Sequence, residues 1–303
     1  MGTTVETAHV AETSSALPRC NACGHFDFEQ LIVKDGYDIA RCRQCALVFV
    51  ANPPTAEQLV RLYSFEDGYH LQLAADPKAI AHHGREAATN FRLLEKYAAK
   101  GRLLDIGCST GLFLRMAVEH GWPAEGLEYS ADSAEQARSK GGLKVRTGAL
   151  ERGMYAAGSF DVVTLWDVIE HVPDPKTVLE LAAELIAPGG LLIVKTPNCD
   201  GLYPRASLSM AGRLGFWGHP DPPGHLYQFS VSTLSRMVRE AGLEVSAIEH
   251  GRIPIEYSFG KPASWFRSAK WAAYCAFFLP MAWAGPLLGQ GDDFTMVATR
   301  QRR

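Results

Sequence analysis

The stretch LLDIGCSTGLFL at residues 103–114 constrains the fold more than any other in the chain. Apolar residues suited to a strand run into two glycines four positions apart and then into an apolar run with helical spacing. Two kinds of protein use such a strand–turn–helix unit. Gly107-Cys108-Ser109-Thr110-Gly111 matches the G-x-S-x-G elbow that exposes a nucleophilic serine. It equally suits a glycine turn that brings backbone close to a nucleoside cofactor. Context separates the two. A hydrolase elbow follows several strands and an upstream loop such as His-Gly-Gly-Gly, whereas Ser109 follows a cysteine-rich segment and two helical stretches at 55–64 and 76–100. A nucleoside loop asks instead for an acid about twenty residues on, ending the next strand, to take the ribose hydroxyls. Glu128 in PAEGLEYS meets that requirement.

From residue 102 apolar strands alternate with helical stretches, the pattern of a parallel sheet covered by helices. Strands are predicted at 102–106, 123–128, 143–147, 160–166 and 190–195, with an antiparallel pair at 243–250 and 294–300 closing the sheet. A chain of 303 residues, 47% hydrophobic, can bury a full core. Its net charge of −3 supplies no basic field for nucleic acid, so a small molecule is the expected partner. The first residues, MGTTVETAHVAETSSALPR, lack the basic start and apolar run of a secretory signal, which makes a cytoplasmic location the expectation.

Four of the seven cysteines are paired: Cys20 with Cys23 in CNACGH, and Cys42 with Cys45 in CRQC. Two residues between cysteines let both thiolates of a tight turn face one ion, so this spacing reads as a four-thiolate structural zinc ribbon. Asp35-Gly36 marks a hairpin between the two knuckles. Four thiolates leave no open coordination position, so the ion is assigned no chemistry. Cys108 and Cys199 read as small packing residues.

LLDIGCSTGLFL followed by EGLEYS resembles the first two motifs of the class I S-adenosylmethionine-dependent methyltransferases, and FDVVTLWDVIEHVPDP (160–175) and LIAPGGLLIVKTPN (185–198) resemble the next two. The resemblance covers residues 100–250 and implies an α/β fold. That fold is a Rossmann-like, seven-stranded, doubly wound sheet with an antiparallel last strand, here joined to a small N-terminal zinc ribbon. It implies that Gly107, Cys108, Ser109, Gly111 and Leu112 hold the methionine part of the cofactor and that Asp105 helps its ammonium group. Glu128 would then hold the ribose and Tyr129 stack on the adenine, with Gly148, Ala149 and Leu150 beside that ring and Trp166 and Asp167 at the methionine end. Ser109 replaces the usual middle glycine and is tolerable there if its φ is negative.

For methylation of a hydroxyl a base should lie near its proton. His225, in WGHPDPPGHLYQFS, is the first candidate and His171 the second; Asp221 and Tyr227 share the first loop, and His219 reads as loop packing. Resemblance to ubiquinone-pathway enzymes also allows Asp167, Glu170 and His171 to imitate an acidic cluster that touches a divalent metal. Tyr63 and Tyr69 belong to helices that cap the cofactor in related enzymes.

WAAYCAFFLPMAWAGPLLGQG, between Lys270 and Asp292, carries no charge. A membrane span is excluded because the strands on either side must pair in one sheet, and Pro280 and Pro286 should break a helix. A helical pair buried in the fold or in a dimer interface is the first expectation, and a platform on a membrane surface or over an apolar substrate the second. The expected division is an unstructured start at 1–17, the ribbon at 18–50, a helical cap at 51–100, and the catalytic core at 101–303 with an insert at about 252–291. The function expected is transfer of a methyl group to a natural-product, sugar or lipid- or quinone-like hydroxyl. The alternatives are an RNA base methyltransferase using the ribbon, a sugar C- or N-methyltransferase, and a non-catalytic scaffold.

Overall fold

The computed structural model describes residues 19–63, 77–214, 217–219 and 221–302; the expected unstructured start and Tyr69 lie outside the described residues. Asp35 and Gly36 both take positive φ, 53° and 82°, which matches the right-handed twist of paired strands in a two-residue hairpin. They fold β1 (Phe28–Lys34) onto β2 (Tyr37–Cys42), with Lys34 opposite Tyr37. β3 (Val48–Val50) pairs with the other edge of β2. The fourth strand of this sheet, β9 (Tyr227–Gln228), comes from the far end of the chain and pairs antiparallel with β3.

The larger sheet has seven strands. β4 (Leu103–Ile106), β5 (Ala124–Glu128), β6 (Val145–Thr147), β7 (Phe160–Trp166) and β8 (Ile186–Pro197) run parallel, and β10 (Glu244–Gly251) and β11 (Asp293–Thr299) complete it. The order is β10-β11-β8-β7-β4-β5-β6, and β11 runs antiparallel to both neighbours. The predicted strands agree to within a few residues, and every one is present.

Strand alternation sorts the core into two layers. Leu103, Val162, Ile193 and Val297 meet Phe91 of α2 (Pro77–Tyr97), which follows α1 (Ala56–Tyr63), and Phe113 of α3 (Leu112–Glu119). Leu104, Val163, Leu165 and Leu192 face the other way. They meet Leu179 and Ala182 of α5 (Pro175–Leu185) and Leu234 and Met237 of α7 (Val231–Glu240). α4 (Ala131–Gly141) closes the β5–β6 edge, capped by Ser130, whose hydroxyl accepts the Ser133 amide. Cys42, Cys45, Leu47 and Phe49 belong to the same buried cluster as α5 and α7, so the cysteine module shares the core of the larger sheet.

The insert is ordered differently from the expectation. After the short α8 (Ile255–Phe259), one helix, α9 (Ala269–Ala284), runs through Pro280 rather than breaking there. The proline, whose ring costs one backbone hydrogen bond, sits on the exposed side of α9. The opposite side, Tyr274, Cys275, Phe278 and Ala282, packs on Phe259 and on Tyr203 of α6 (Leu202–Leu214). Burial of two large aromatics, each contributing about 2 kcal/mol, holds α9 against the fold in spite of the proline. No helix among the described residues is long and apolar enough to cross a membrane.

Because β9 is anchored on the cysteine module, a Cys20→Ser/Cys45→Ser variant is expected to raise amide exchange at residues 226–229 while leaving 103–128 protected. Hydrogen-exchange mass spectrometry reads both; equal protection at 226–229 would show that β9 holds without the module.

Candidate active site

Gly107 and Gly111 are glycines for two reasons. Both have positive φ, 74° and 82°, and an added Cβ would lie 2.4 Å from the Val168 side chain at Gly107 and 2.4 Å from that of Leu143 at Gly111. Between them Ser109 also has positive φ, 49°. The condition of a negative φ is therefore not met: a serine occupies the left-handed region that the family's glycine would enter without strain. Its amide donates 2.8 Å to Oε2 of Glu128, whose Oε1 accepts the Ser130 amide at 2.8 Å. One carboxylate thus ties the glycine turn to the end of β5 and to the start of α4. Burial holds the Glu128 carboxyl above its usual range, opposed by those amides.

Asp105 is buried at the end of β4, where its Oδ1 accepts the Thr164 hydroxyl at 2.7 Å from the paired position on β7. Burial pushes its pKa up to about 7. Cys108 and Cys199 are buried as expected, and burial pushes both thiols up, Cys199 to about 12, so neither is a thiolate at neutral pH.

These residues open on a cleft of about 1540 Å³ bounded by the described residues. A pocket for one drug-sized ligand holds roughly 300–1,000 Å³, so this one has room for a nucleoside cofactor and a second molecule. Asp105, Gly107, Cys108, Ser109, Leu112, Glu128, Tyr129, Gly148, Ala149 and Leu150 line it, as do Trp166, Asp167, His171, His225 and Tyr63. Gly111 is not among the lining residues; it starts α3 behind the turn. Tyr129 is half exposed, its face free for a ring to stack on. Trp166 packs edge-on against Phe113, centroids 5.2 Å apart, and its buried indole nitrogen has no hydrogen-bond partner among the described residues.

The histidines come together across two loops. His171 follows β7, and His225 precedes β9; their rings lie 4.7 Å apart between centroids. The Leu226 and Tyr227 amides donate to the Glu170 carbonyl at 2.8 and 3.1 Å, and the Val50 amide donates to the Leu226 carbonyl at 2.9 Å. The segment after His225 is therefore held from both sides. Nδ1 of His171 lies 2.9 Å from the Gly224 carbonyl, which calls for the proton on Nδ1 and leaves Nε2 as the basic nitrogen. Tyr63 lies 3.0 Å from the same Nδ1. Nδ1 of His225 is buried and has no hydrogen-bond partner among the described residues. Burial keeps His171 and His225 below the usual histidine range, His225 well below it. His219 packs against Trp217, lowered to about 3 by burial, in keeping with its expected packing role. Asp221 is exposed at the start of the same loop, its carbonyl accepting the His225 amide, and Tyr227 donates its hydroxyl to the Pro173 carbonyl.

The acid–acid–His grouping of Asp167, Glu170 and His171 does not assemble. Asp167 accepts from Lys195 Nζ at 2.8 Å, and the groups that converge are Glu170, His171 and His225, with ligand atoms within 4.8 Å of one another. Glu170 is buried; one oxygen accepts from Thr196 at 3.0 Å, the other has no partner among the described residues, and burial followed by the Asp167 charge pushes its pKa up to about 8. Lys195 was missed by the sequence reading. A lone cation inside the apolar strand LLIVKTPN was the signal for it. Burial opposes its charge, but the nearby Asp167 and Asp293 carboxylates outweigh that and raise its pKa.

The four cysteines of the N-terminal module face one another, with Sγ–Sγ distances of 3.3 Å for Cys20–Cys45 and 3.6 Å for Cys23–Cys42. A tetrahedral zinc with bonds of about 2.3 Å separates its sulfurs by about 3.8 Å, so the quartet fits that ion after a small expansion.

The methyltransferase domain family matches residues 80–248, more than half of the chain. The chain belongs to that family. Among curated relatives the chain is 32% identical over 156 residues to the ubiquinone biosynthesis O-methyltransferase of Bordetella avium, covering 48% of this chain and 64% of that one. It is 31% identical over 175 residues to the enzyme of the same name from Bordetella bronchiseptica, covering 54% and 71%. The matched stretch thus spans under two thirds of the first relative. Among solved structures, a chain of the complex between the Haloferax volcanii Trm112 methyltransferase activator and a methyltransferase superposes with a TM-score of 0.52 at 16% identity. That superposition covers 74% of this chain and 93% of that one, a likeness of fold. The cysteine module and the insert both lie outside the family segment.

The crowding behind the turn sets an expectation. Gly111→Ala should lose at least about 2 kcal/mol through overpacking and left-handed strain, whereas Ser109→Gly should fold with undiminished stability. Denaturant titration of both variants checks the contrast, and an unperturbed Gly111→Ala would refute the close approach of Leu143.

Proposed function

We propose that this protein transfers a methyl group from S-adenosylmethionine to a hydroxyl of a small molecule, an O-methylation of a natural-product, sugar or lipid- or quinone-like acceptor. The observation that carries the reading is one cleft holding both the Glu128-pinned glycine turn and a buried, neutral His225 whose Nδ1 has no partner among the described residues. The names of the curated relatives, ubiquinone biosynthesis O-methyltransferases, support oxygen as the acceptor atom.

When bound, the cofactor supplies a methyl already activated on its sulfonium. The chain's own part is then to hold, orient and exclude water. Glu128 keeps lone pairs for the ribose hydroxyls beyond the two amides it accepts, Tyr129 offers a stacking face, and Asp105 faces the ammonium group. Trp166 and Asp167 border the methionine end. His225 takes the acceptor's proton. His171, fixed by the Gly224 carbonyl, stands beside it as the second base. The Cys20–Cys23–Cys42–Cys45 quartet holds structural zinc and keeps β9, and with it His225, in place.

Calorimetric titration with S-adenosylhomocysteine tests the cofactor half: micromolar-range binding is expected, lost in Glu128→Ala. Absence of binding by the folded wild type would favour a non-catalytic scaffold. Because the Asp105 pKa is raised to about 7, its carboxylate must lose a proton before it can face an ammonium. Affinity should therefore hold above pH 7 and fall by up to about tenfold per unit as pH drops below it. Asp105→Asn should flatten that dependence.

The acceptor half is tested with methyl-labelled cofactor and a panel of catechols, glycosides and RNA. Label is expected as an O-methyl group on a small molecule and reduced by about 10²-fold or more in His225→Ala. Since burial lowers the His225 pKa, the base remains unprotonated through pH 6.5. The acid limb of kcat at saturating cofactor should accordingly lie below that value. A limb at 6.5, or label on RNA, would contradict the assignment.

A further inference from the structure

The outward side of α9 is a continuous apolar stripe. Ala273, Ala276, Phe277, Pro280 and Trp283 are exposed at steps of three and four residues, which places them on one helix face. Leu287 and Leu288 extend it. Phe277 and Trp283 are 53% and 54% exposed and Leu287 is 88% exposed, a density of large apolar side chains that marks an interaction surface. No residue from 271 to 291 carries a charge, so beyond Lys270 in its first turn the helix has no charged side chain to turn to water.

Cations frame this stripe. The Arg252 guanidinium lies 3.7 Å from the Trp283 ring centroid and that of Arg267 lies 4.2 Å from the Trp271 centroid. Residues 252–291 hold four cations, Arg252, Lys261, Arg267 and Lys270, against one anion, Glu256, in a chain whose net charge is −3. Within this segment positive charge thus outnumbers negative, and Arg252 lies directly on the stripe at Trp283. Tyr257, Arg267 and Trp271 also line the cleft, so the framed face adjoins its rim.

We propose that the outer face of α9, with Leu287 and Leu288, docks on an anionic lipid surface, inserting Phe277, Trp283 and Leu287 at the level of the headgroups. Apolar and aromatic side chains with flanking arginines are the composition that binds such an interface, and each basic residue near it adds attraction to anionic lipid. A second copy of the chain fits less well. In a two-fold dimer the same patch meets itself, which brings the cationic rims together. Docking also places the cleft rim beside the bilayer, where an amphiphilic acceptor partitions; this last point rests on the O-methylation reading, and the docking does not.

The test is co-sedimentation of the full chain with vesicles of phosphatidylcholine alone and of phosphatidylcholine with one quarter phosphatidylglycerol. Binding to the anionic vesicles is expected, with a blue shift of tryptophan emission and at least tenfold weaker binding to the neutral ones. Phe277→Ser/Trp283→Ser/Leu287→Ser should lose the binding at least tenfold, and Arg252→Gln should weaken it several-fold. None of these residues lines the cleft, so S-adenosylhomocysteine titration of each variant reports folding, and its failure in the wild type would count against the functional reading alone. No binding by the wild type, equal binding to both vesicles, or binding unchanged in the triple variant would each overturn the proposal. A dimer seen by light scattering and dissociated by the triple variant would assign the face to a second copy instead and overturn it as well.

Discussion

The carboxylate of Glu128 is the fastening on which the site depends. It accepts the amides of Ser109 and Ser130 at 2.8 Å each, and so joins the glycine turn after β4 to the turn after β5. Two adjacent parallel strands end at the same level because they are paired from Leu103↔Ala124 to Ile106↔Leu127. The turns that follow must therefore share the space above them, and an acid there satisfies amides of both turns that have no strand or helix partner. A carboxylate already desolvated and aimed at the cleft meets a polar ligand without having to reorganise.

A second fastening joins two sheets that the chain order keeps far apart. β3 in the cysteine module pairs with β9, some 180 residues later. Asn21, next to the first cysteine, accepts the Lys176 amide and donates to Asp174 at the start of α5. The module is thereby packed against the same α5–α7 layer that covers the larger sheet. A small unit with little core of its own gains stability from shared burial as well as from its cysteines. Through the pairing of β3 with β9 the module also sets where the loop carrying His225 runs.

Charge in the cleft follows burial. His171 stays neutral because desolvation penalises its imidazolium more than the Gly224 carbonyl and the Asp167 and Asp221 carboxylates favour it, and at His225 burial and the neighbouring His171 act in the same direction. Asp105 and Glu170 are pushed toward neutral pH by the same cost. Lys195 stays charged in equal seclusion because Asp167 touches it and Asp293 is near. Neighbouring groups in one cavity thus differ in charge according to whether a counter-charge is within reach, a distinction that residue type alone does not make.

The sequence by itself determined what depends on local order along the chain. Period-two and helical runs set the strands and helices. The two glycines and the acid about twenty residues on marked the turn after β4 and the carboxylate that ties it to β5, and the Cys-x2-Cys pairs marked the module, because each of these signals sits within one turn or one βαβ unit. Tertiary structure decided what depends on which distant segments meet. It set His225 beside His171, turned Asp167 to Lys195 instead of to Glu170, gave Ser109 a positive φ, and carried α9 through Pro280 with one face buried and the other bare. These outcomes rest on long-range pairing, above all of β3 with β9, and on packing of α9 against α6. Such contacts bring together residues whose separation in sequence carries no periodic or spacing signal.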